Sequence, residues 1–140
     1  MKEITSKDNQ KLKEWAKLKQ KKYIQKTNKV LLEGIKIIDE ALKRGIKFDA
    51  VCTNFVTDEE FDCPTFKLSQ NCFKLLSDEQ NSQGVIAVAN FPKYDFELPK
   101  GNFLILDNIQ DPGNLGTIIR TAVACGFGQI YTLNCVDFRS

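Results

Sequence analysis

The sequence predicts an α/β protein: an α/β sandwich over residues 1–90, a linker over 91–101 and a βαβ unit over 102–140. Three observations predict it. Short apolar runs alternate with amphipathic stretches through the first part of the chain, the pattern of strands and helices layered on one another. The stretch Asn90–Gly101 gathers Pro92, Pro99, a glycine and mixed charge, the composition of a boundary. Beyond it, Phe103-Leu104-Ile105-Leu106 is continuously apolar, as a parallel strand covered on both faces is.

Each element has its own signal. Thr5 or Ser6 can cap a helix, with Asp8 three residues after Thr5 as in a capping box. Leu12, Trp15, Ala16 and Tyr23 then fall near one helical face, Leu18 on its flank, and Lys11, Lys13, Lys17, Lys21 and Lys22 on much of the rest. This predicts an amphipathic helix over about residues 6–24, with Trp15 read as a packing anchor in preference to a base-stacking platform. Val30-Leu31-Leu32 reads as a strand ending at Glu33-Gly34. Ile35, Ile37, Ile38, Ala41 and Leu42 give a helix stopped by Gly45. Phe48–Thr53 and Thr65–Leu68 read as strands, the second introduced by Pro64, where a missing donor is tolerated. Ser69 caps a helix through Leu76, and Val85–Ala89 is a further strand. In the βαβ unit, Pro112-Gly113 suits a type II turn, Asn114 is the N-cap of a helix over about Leu115–Cys125, and Gln129–Leu133 closes the unit as a strand.

Composition removes several function classes. The 140 residues are 42% hydrophobic and 27% charged, values of an ordinary globular protein rather than a disordered chain. No apolar run approaches the roughly 20 residues of a membrane helix, and MKEITSKDNQ lacks the apolar core of a secretory signal, so a cytoplasmic protein without membrane partners is expected. The absence of histidine excludes histidine bases and histidine metal ligands. Cys52, Cys63, Cys72, Cys125 and Cys135 form no C-x-x-C pair, which argues against a metal site and for reduced thiols. A catalytic cysteine would lack its usual histidine partner.

The net charge of +2 conceals an asymmetry. Residues 1–29 carry ten lysines against three acids, a net of +7, and the remainder is −5. Such a segment is either a polyanion-binding surface or a solvated lysine-rich helix. Lysine in place of arginine suits phosphate contact better than reading of base edges.

Residues 106–126, LDNIQDPGNLGTIIRTAVACG, carry the most information. A strand, a glycine-containing loop and a helix start make a general anion or ligand site, though neither a P-loop nor a dinucleotide fingerprint. Leu115, Ile118, Ile119 and Ala122 form the helix's core face. Arg120 lies elsewhere, among the small residues Gly116, Thr117, Thr121 and Ala124, which let another surface approach. Its guanidinium is either a clamp for phosphate or carboxylate or a member of a surface ion pair.

The stretch Leu106–Ala122 resembles the first signature motif of the SpoU-type (TrmH-like) RNA 2′-O-ribose methyltransferases of the SPOUT superfamily. Ile4-Thr5-Ser6 with Asn9, Leu32-Glu33-Gly34, Leu76-Ser77 and Gln83-Gly84-Val85 resemble the substrate-binding domain that precedes the catalytic domain in many members, a ribosomal-protein-like α/β/α sandwich. The resemblance implies an RNA substrate-binding domain at 1–90 and the N-terminal part of a SPOUT (α/β knot) domain at 102–140. It implies S-adenosylmethionine-dependent 2′-O-methylation of ribose in rRNA or tRNA, and a homodimer for the full-length enzyme. Arg120 matches the motif arginine that acts at the ribose 2′-hydroxyl, and Asn114 the asparagine that supports the site near the dimer interface. Lys11, Lys17, Lys21 and Lys22 are the candidate RNA contacts.

The resemblance also implies two further motifs beyond Ser140, which tie the trefoil knot and form most of the cofactor pocket. The chain is therefore read as a fragment, with no residue of its own assigned to the cofactor. The alternative is a non-catalytic RNA-binding module, and a third reading is a small ligand-binding protein holding a phosphate at Pro112-Gly113-Asn114. A lone βαβ unit is further expected to expose apolar surface and open sheet edges.

Overall fold

Ala50, Cys52, Ile86 and Val88 are buried in one cluster, while Val51, Val85, Ala87 and Ala89, their immediate neighbours in sequence, are buried in another. Successive side chains of a strand point to opposite faces, so this division places a sheet between two covering layers. The structure is a computed structural model, which describes residues 1–91 and 101–136. It divides into two compact units, Met1–Lys93 and Tyr94–Ser140.

The first unit contains β1 (Lys2–Ile4), α1 (Gln10–Lys17), α2 (Lys21–Thr27), β2 (Lys29–Glu33), α3 (Ile35–Lys43), β3 (Lys47–Thr53), β4 (Thr65–Leu68), α4 (Gln70–Leu76) and β5 (Val85–Asn90). The strands form one sheet in the order β1-β4-β3-β5-β2. β1, β4 and β3 run parallel, and β5 pairs antiparallel with both β3 and β2. On one face, Leu12 and Trp15 of α1 join Cys72, Phe73 and Leu76 of α4. On the other, Ile24 of α2 joins Ile38 and Ala41 of α3. This is the expected α/β/α sandwich. Ser69 caps α4 as anticipated, its Oγ accepting from the Cys72 amide at 3.3 Å. Gly45 follows α3 at φ 75°, a conformation that suits glycine.

The N-terminal region departs from expectation. Residues 2–4 are an edge strand, and the single helix expected over 6–24 is two helices. The N-cap is Asn9, whose Oδ1 accepts from the Leu12 amide at 3.2 Å, whereas the Ser6 Oγ accepts from the Asp8 amide at 3.2 Å outside the helix. The break has a packing reason. Leu12, Trp15 and Leu18 bury in the first cluster and Ile24 in the second, on the other side of the sheet. One straight helix cannot serve both faces, so the chain turns through Leu18 and the extended Gln20 and α2 passes the β2 edge.

The second unit contains β6 (Phe103–Asp107), α5 (Pro112–Ala124) and β7 (Gln129–Leu133), with β6 and β7 parallel and Phe103 opposite Gln129. Leu106, Leu115 and Cys135 form its small buried cluster. The continuous apolar run of β6 is the pattern of a strand covered on both faces, and a lone βαβ unit was expected to leave apolar surface exposed. Among the described residues α5 covers one face, and Phe103, Ile105 and Leu133 are exposed at 45%, 55% and 55%. The expected linker at 91–101 falls mostly on residues 92–100, which lie outside the described residues, as do Asp137–Ser140.

A second correction concerns the start of α5. The type II turn at Pro112-Gly113 and the Asn114 cap do not form. Pro112 is already helical and Asp111 is the N-cap, its Oδ1 accepting from the Gly113 and Asn114 amides at 2.8 and 3.3 Å. Proline lacks an amide hydrogen, which a first helical residue does not need, and its fixed φ suits that position.

Candidate functional site

Among the described residues, three lysines of the first unit stand over aromatic rings. Lys11 Nζ stands 5.0 Å from the centre of the Phe66 ring, and Lys17 and Lys22 stand 5.5 and 5.1 Å from that of Tyr23. The structure thus brings two of the four candidate RNA contacts, Lys17 and Lys22, to one ring at the α1–α2 turn. Lys11 is one helix face away, and Lys21 opens α2. Trp15 meets Phe66 edge-on with ring centres 5.3 Å apart and is buried, so it is the packing anchor the sequence indicated. Lys19 is differently engaged: it pairs with Asp78 at 2.9 Å and ties the end of α1 to the segment after α4.

Beside the turn is a cleft of about 280 Å³ whose lining includes Trp15, Lys17, Tyr23, Lys26, Lys29 and Asp49. Asp49 was not singled out from sequence. It occupies a bulge in β3, where the pairing with β5 shifts register between Phe48 and Ala50. The bulge turns its carboxylate out of the ladder, where it accepts from Lys29 and, at 2.6 Å, from Asn90. Burial pushes the Asp49 pKa up, but the hydrogen bonds from Lys29 and Asn90 and the Lys29 charge outweigh it and hold the carboxyl below its ordinary value. The signal in the sequence was a lone acid between Phe48 and the apolar run Ala50-Val51-Cys52.

A separate convergence joins the motif residues of the first unit. The Glu33 carboxylate accepts from the Ser77 and Ser82 hydroxyls and, at 3.0 Å, from the Asp78 amide. Gln83 Oε1 accepts from the Ile35 amide at 2.7 Å, where α3 begins without a side-chain cap. Gly84 has φ 82°, and a Cβ there would lie 2.3 Å from Asn54 Oδ1, so both conformation and space demand glycine. Glu33, Ser77, Gln83 and Gly84, scattered in sequence, form one polar lock that fixes the β2–α3 turn against the approach to β5.

In the second unit, Asn114 and Arg120 lie on the exposed side of α5. With Thr117 between them the spacing is three and three, which makes one slanting stripe about 9 Å long. Thr117 Oγ1 donates to the Gly113 carbonyl at 3.0 Å and accepts from the Arg120 guanidinium at 3.4 Å. The guanidinium is therefore directed along the helix toward its first turn. At the carboxyl ends of β6 and β7 two loops are tied together: Asn108 N–H donates to the Leu133 carbonyl and Val136 N–H to that of Ile109, both at 2.8 Å. The Gln110 amide donates to Asn108 Oδ1 at 3.1 Å and to the Asn134 carbonyl, and the Ile109 amide to Cys135 Sγ at 3.3 Å. Ligands of open parallel sheets bind beyond such strand ends.

Residues 9–87 match the MRM3-like substrate binding domain, and residues 101–140 match the SpoU rRNA Methylase family. The chain is 38% identical to the 23S rRNA (guanosine(2553)-2′-O)-methyltransferase RlmP of Bacillus subtilis, over 93% of this chain and 54% of that protein. It is 30% identical to the mitochondrial rRNA methyltransferase 3 of Homo sapiens, over 86% of this chain and 32% of that one. Among solved structures, the AdoMet-bound rRNA methyltransferase from Sinorhizobium meliloti superposes with a TM-score of 0.76 at 29% identity, over 99% of this chain and 57% of that one. A crystal structure of an RNA 2′-O ribose methyltransferase gives a TM-score of 0.75 at 29% identity, covering 99% and 58%. The chain thus spans about half the length of these relatives, and about a third of the human one.

Proposed function

The chain belongs to the SpoU rRNA methylase family and carries its MRM3-like substrate-binding domain, and we propose that the whole protein transfers a methyl group from S-adenosylmethionine to a ribose 2′-hydroxyl of rRNA or tRNA. In this reading residues 1–90 bind RNA, residues 91–101 link, and residues 102–140 begin the methyltransferase domain of a cytoplasmic homodimer. One observation carries the proposal: a single chain joins a substrate-binding domain to a strand–loop–helix whose exposed stripe holds Asn114 and Arg120.

S-adenosylmethionine supplies the methyl group when bound. No residue of this chain is assigned to it; at the β6 and β7 ends the Gln110 amide joins Asn108 to the Asn134 carbonyl. The roles of this chain's own residues follow from the difficulty of the reaction. A 2′-hydroxyl is a weak nucleophile at neutral pH and needs orientation, a proton acceptor and stabilisation of developing negative charge. Arginine keeps its proton, so Arg120 serves by holding the neighbouring phosphate or the oxyanion and does not act as the base. Asn114 supports that group from the first turn of α5. Lys11, Lys17, Lys21 and Lys22 contact RNA phosphates.

Two measurements test the reading. In a protein of the relatives' length, Arg120→Ala is expected to lower kcat for methyl transfer by about a hundredfold or more while the circular dichroism spectrum is kept. Activity within a few-fold of wild type would remove Arg120 from the mechanism. RNA affinity is expected to fall with salt on a log–log slope of about three, since four lysines facing a single strand release up to that many counterions. A flat response would remove the lysines.

A second reading is a non-catalytic RNA-binding module. The first unit favours it, because its sheet is covered on both faces and its lysine-bearing turn is lined by residues of that unit. RNA binding without any methyl transfer in the longer protein would select it.

A further inference from the structure

The cleft at the α1–α2 turn combines an aromatic ring, ammonium groups and carboxylates, of which phosphate contact alone uses only the ammonium groups. Tyr23 presents a half-buried ring flanked by the ammonium groups of Lys17 and Lys22 at 5.5 and 5.1 Å. Lys26 adds positive charge along the same lining, Lys29 pairs its ammonium with Asp49, and Trp15 closes the apolar side. Glu14 lines the cleft from α1, and Asp49 places a second carboxylate at the edge of this basic surface, with its side chain 37% exposed. An acid is out of place in a purely phosphate-binding surface, since it repels the ligand. A β-bulge, which interrupts a ladder, is what turns it there.

We propose that this cleft receives one unpaired base of an RNA strand, stacked on Tyr23 and donating its amino or imino hydrogens to Asp49, with the flanking phosphates on Lys17, Lys22 and Lys26. The proposal rests on the RNA-binding reading of the first unit and names what that surface recognises. The space of about 280 Å³ accommodates a base and part of its sugar. Every base has a π-face for the ring and an N–H at its Watson–Crick edge for the acid, so the site selects unpaired over paired nucleotides and not one base over another. The ammonium groups over Tyr23 exchange a cation–π contact for a phosphate when the base arrives. Lys29 and Asn90 hold the carboxylate in place without occupying all of its acceptor positions.

The test uses the 140-residue chain and two single-stranded RNAs of equal length, one of mixed sequence and one abasic throughout. Affinity is read by anisotropy of a fluorescein label. Occupancy of the cleft is read by the fluorescence of Trp15, the only tryptophan of the chain. The mixed strand is expected to bind about tenfold more tightly than the abasic one and to quench Trp15, and Tyr23→Ala is expected to reduce that ratio to about twofold or less. Asp49→Asn gives the sharper result. Removing a negative charge beside lysines strengthens any purely electrostatic association, whereas here the variant is expected to weaken binding of the mixed strand about threefold or more and to tighten the abasic strand. Equal affinities for both strands without quenching would overturn the base site and leave the RNA-binding reading standing. Binding of neither strand would overturn both.

Discussion

Val85–Asn90 and Phe103–Asp107 are both short, almost wholly apolar strands, yet they end in different surroundings. β5 lies inside a five-stranded sheet with helices on each face, and all five residues from Val85 to Ala89 are buried. β6 lies in a pair with α5 on one face, and only Leu106 of its five residues is buried. The sequences differ little because an apolar run records how many faces a strand is built to cover. It does not record whether the cover is present. Among the described residues the first unit closes two cores around one sheet, whereas the second closes a single cluster of Leu106, Leu115 and Cys135. The sharpest way to break this contrast is to find the second unit as resistant to opening as the first.

Thiol labelling gives the largest expected effect. Cys52 in β3 is fully buried, and burial, followed by the nearby Cys63, pushes its pKa up to about 12. At pH 8 only about one Cys52 in ten thousand would be thiolate, so native labelling is expected to be slower than that of exposed Cys125 by three orders of magnitude or more. Cys135, buried in the smaller core, is expected to label between them as the second unit opens. Mass-resolved alkylation checks the order, and Cys135 reacting as slowly as Cys52 would equalise the units. The same shift has a stability consequence. Unfolded Cys52 ionises near its ordinary 9.0, below the folded value, so its contribution is intact below pH 9 and is lost as pH rises toward 12.

The next effect is in packing. Ile86 is fully buried in β5, and Ile86→Ala is expected to cost about 2–5 kcal/mol through lost burial and the cavity left behind. Ile105, the comparable side chain of β6, is 55% exposed, and Ile105→Ala is expected to change stability by about 0.5 kcal/mol or less. Denaturant unfolding of the two variants measures the difference. A large loss at Ile105 would mean that the exposed face of β6 is covered in solution.

These contrasts show what was legible. The alternation of apolar runs placed β2, β3, β4, β5, β6 and β7 because each strand is long enough to show its pattern. β1 was missed because Lys2–Ile4 offers one inward residue, Ile4, and no pattern can be read from one position. The α1–α2 break was missed because the periodicity of Leu12, Trp15 and Tyr23 is helical on either side of it. What ends the helix is the need of Ile24 to reach the opposite core, and that is a tertiary fact. Arg120 and Asn114 were singled out through their motif, and the structure puts them on one exposed stripe of α5. Asp49 was not, because its meaning comes from a bulge and from Lys29 and Asn90, brought beside it from β2 and β5.

The smallest expected effect concerns the caps. Ser69 and Asp111 stand at the starts of α4 and α5, one in each unit, and both accept backbone N–H groups that the helix leaves unpaired. Replacing either by alanine is expected to cost about 1 kcal/mol. The expected comparison inside α5 is more telling. Sequence reasoning put the cap at Asn114, and Asn114→Ala would then be the costly change. With Asp111 as cap and Asn114 already within the first turn, Asn114→Ala is expected to alter local stability by about 0.5 kcal/mol or less. Asp111→Asn keeps an acceptor and loses only the charge opposite the helix dipole, so it should fall between the two. Exchange of the Leu115 amide, which donates to the Asp111 carbonyl at 3.0 Å, reads all three variants in the same bond. If Asn114→Ala accelerates that exchange more than Asp111→Ala does, the helix begins where the sequence first suggested. Asn114 would then be held by its own helix and removed from the group proposed to act on the ribose.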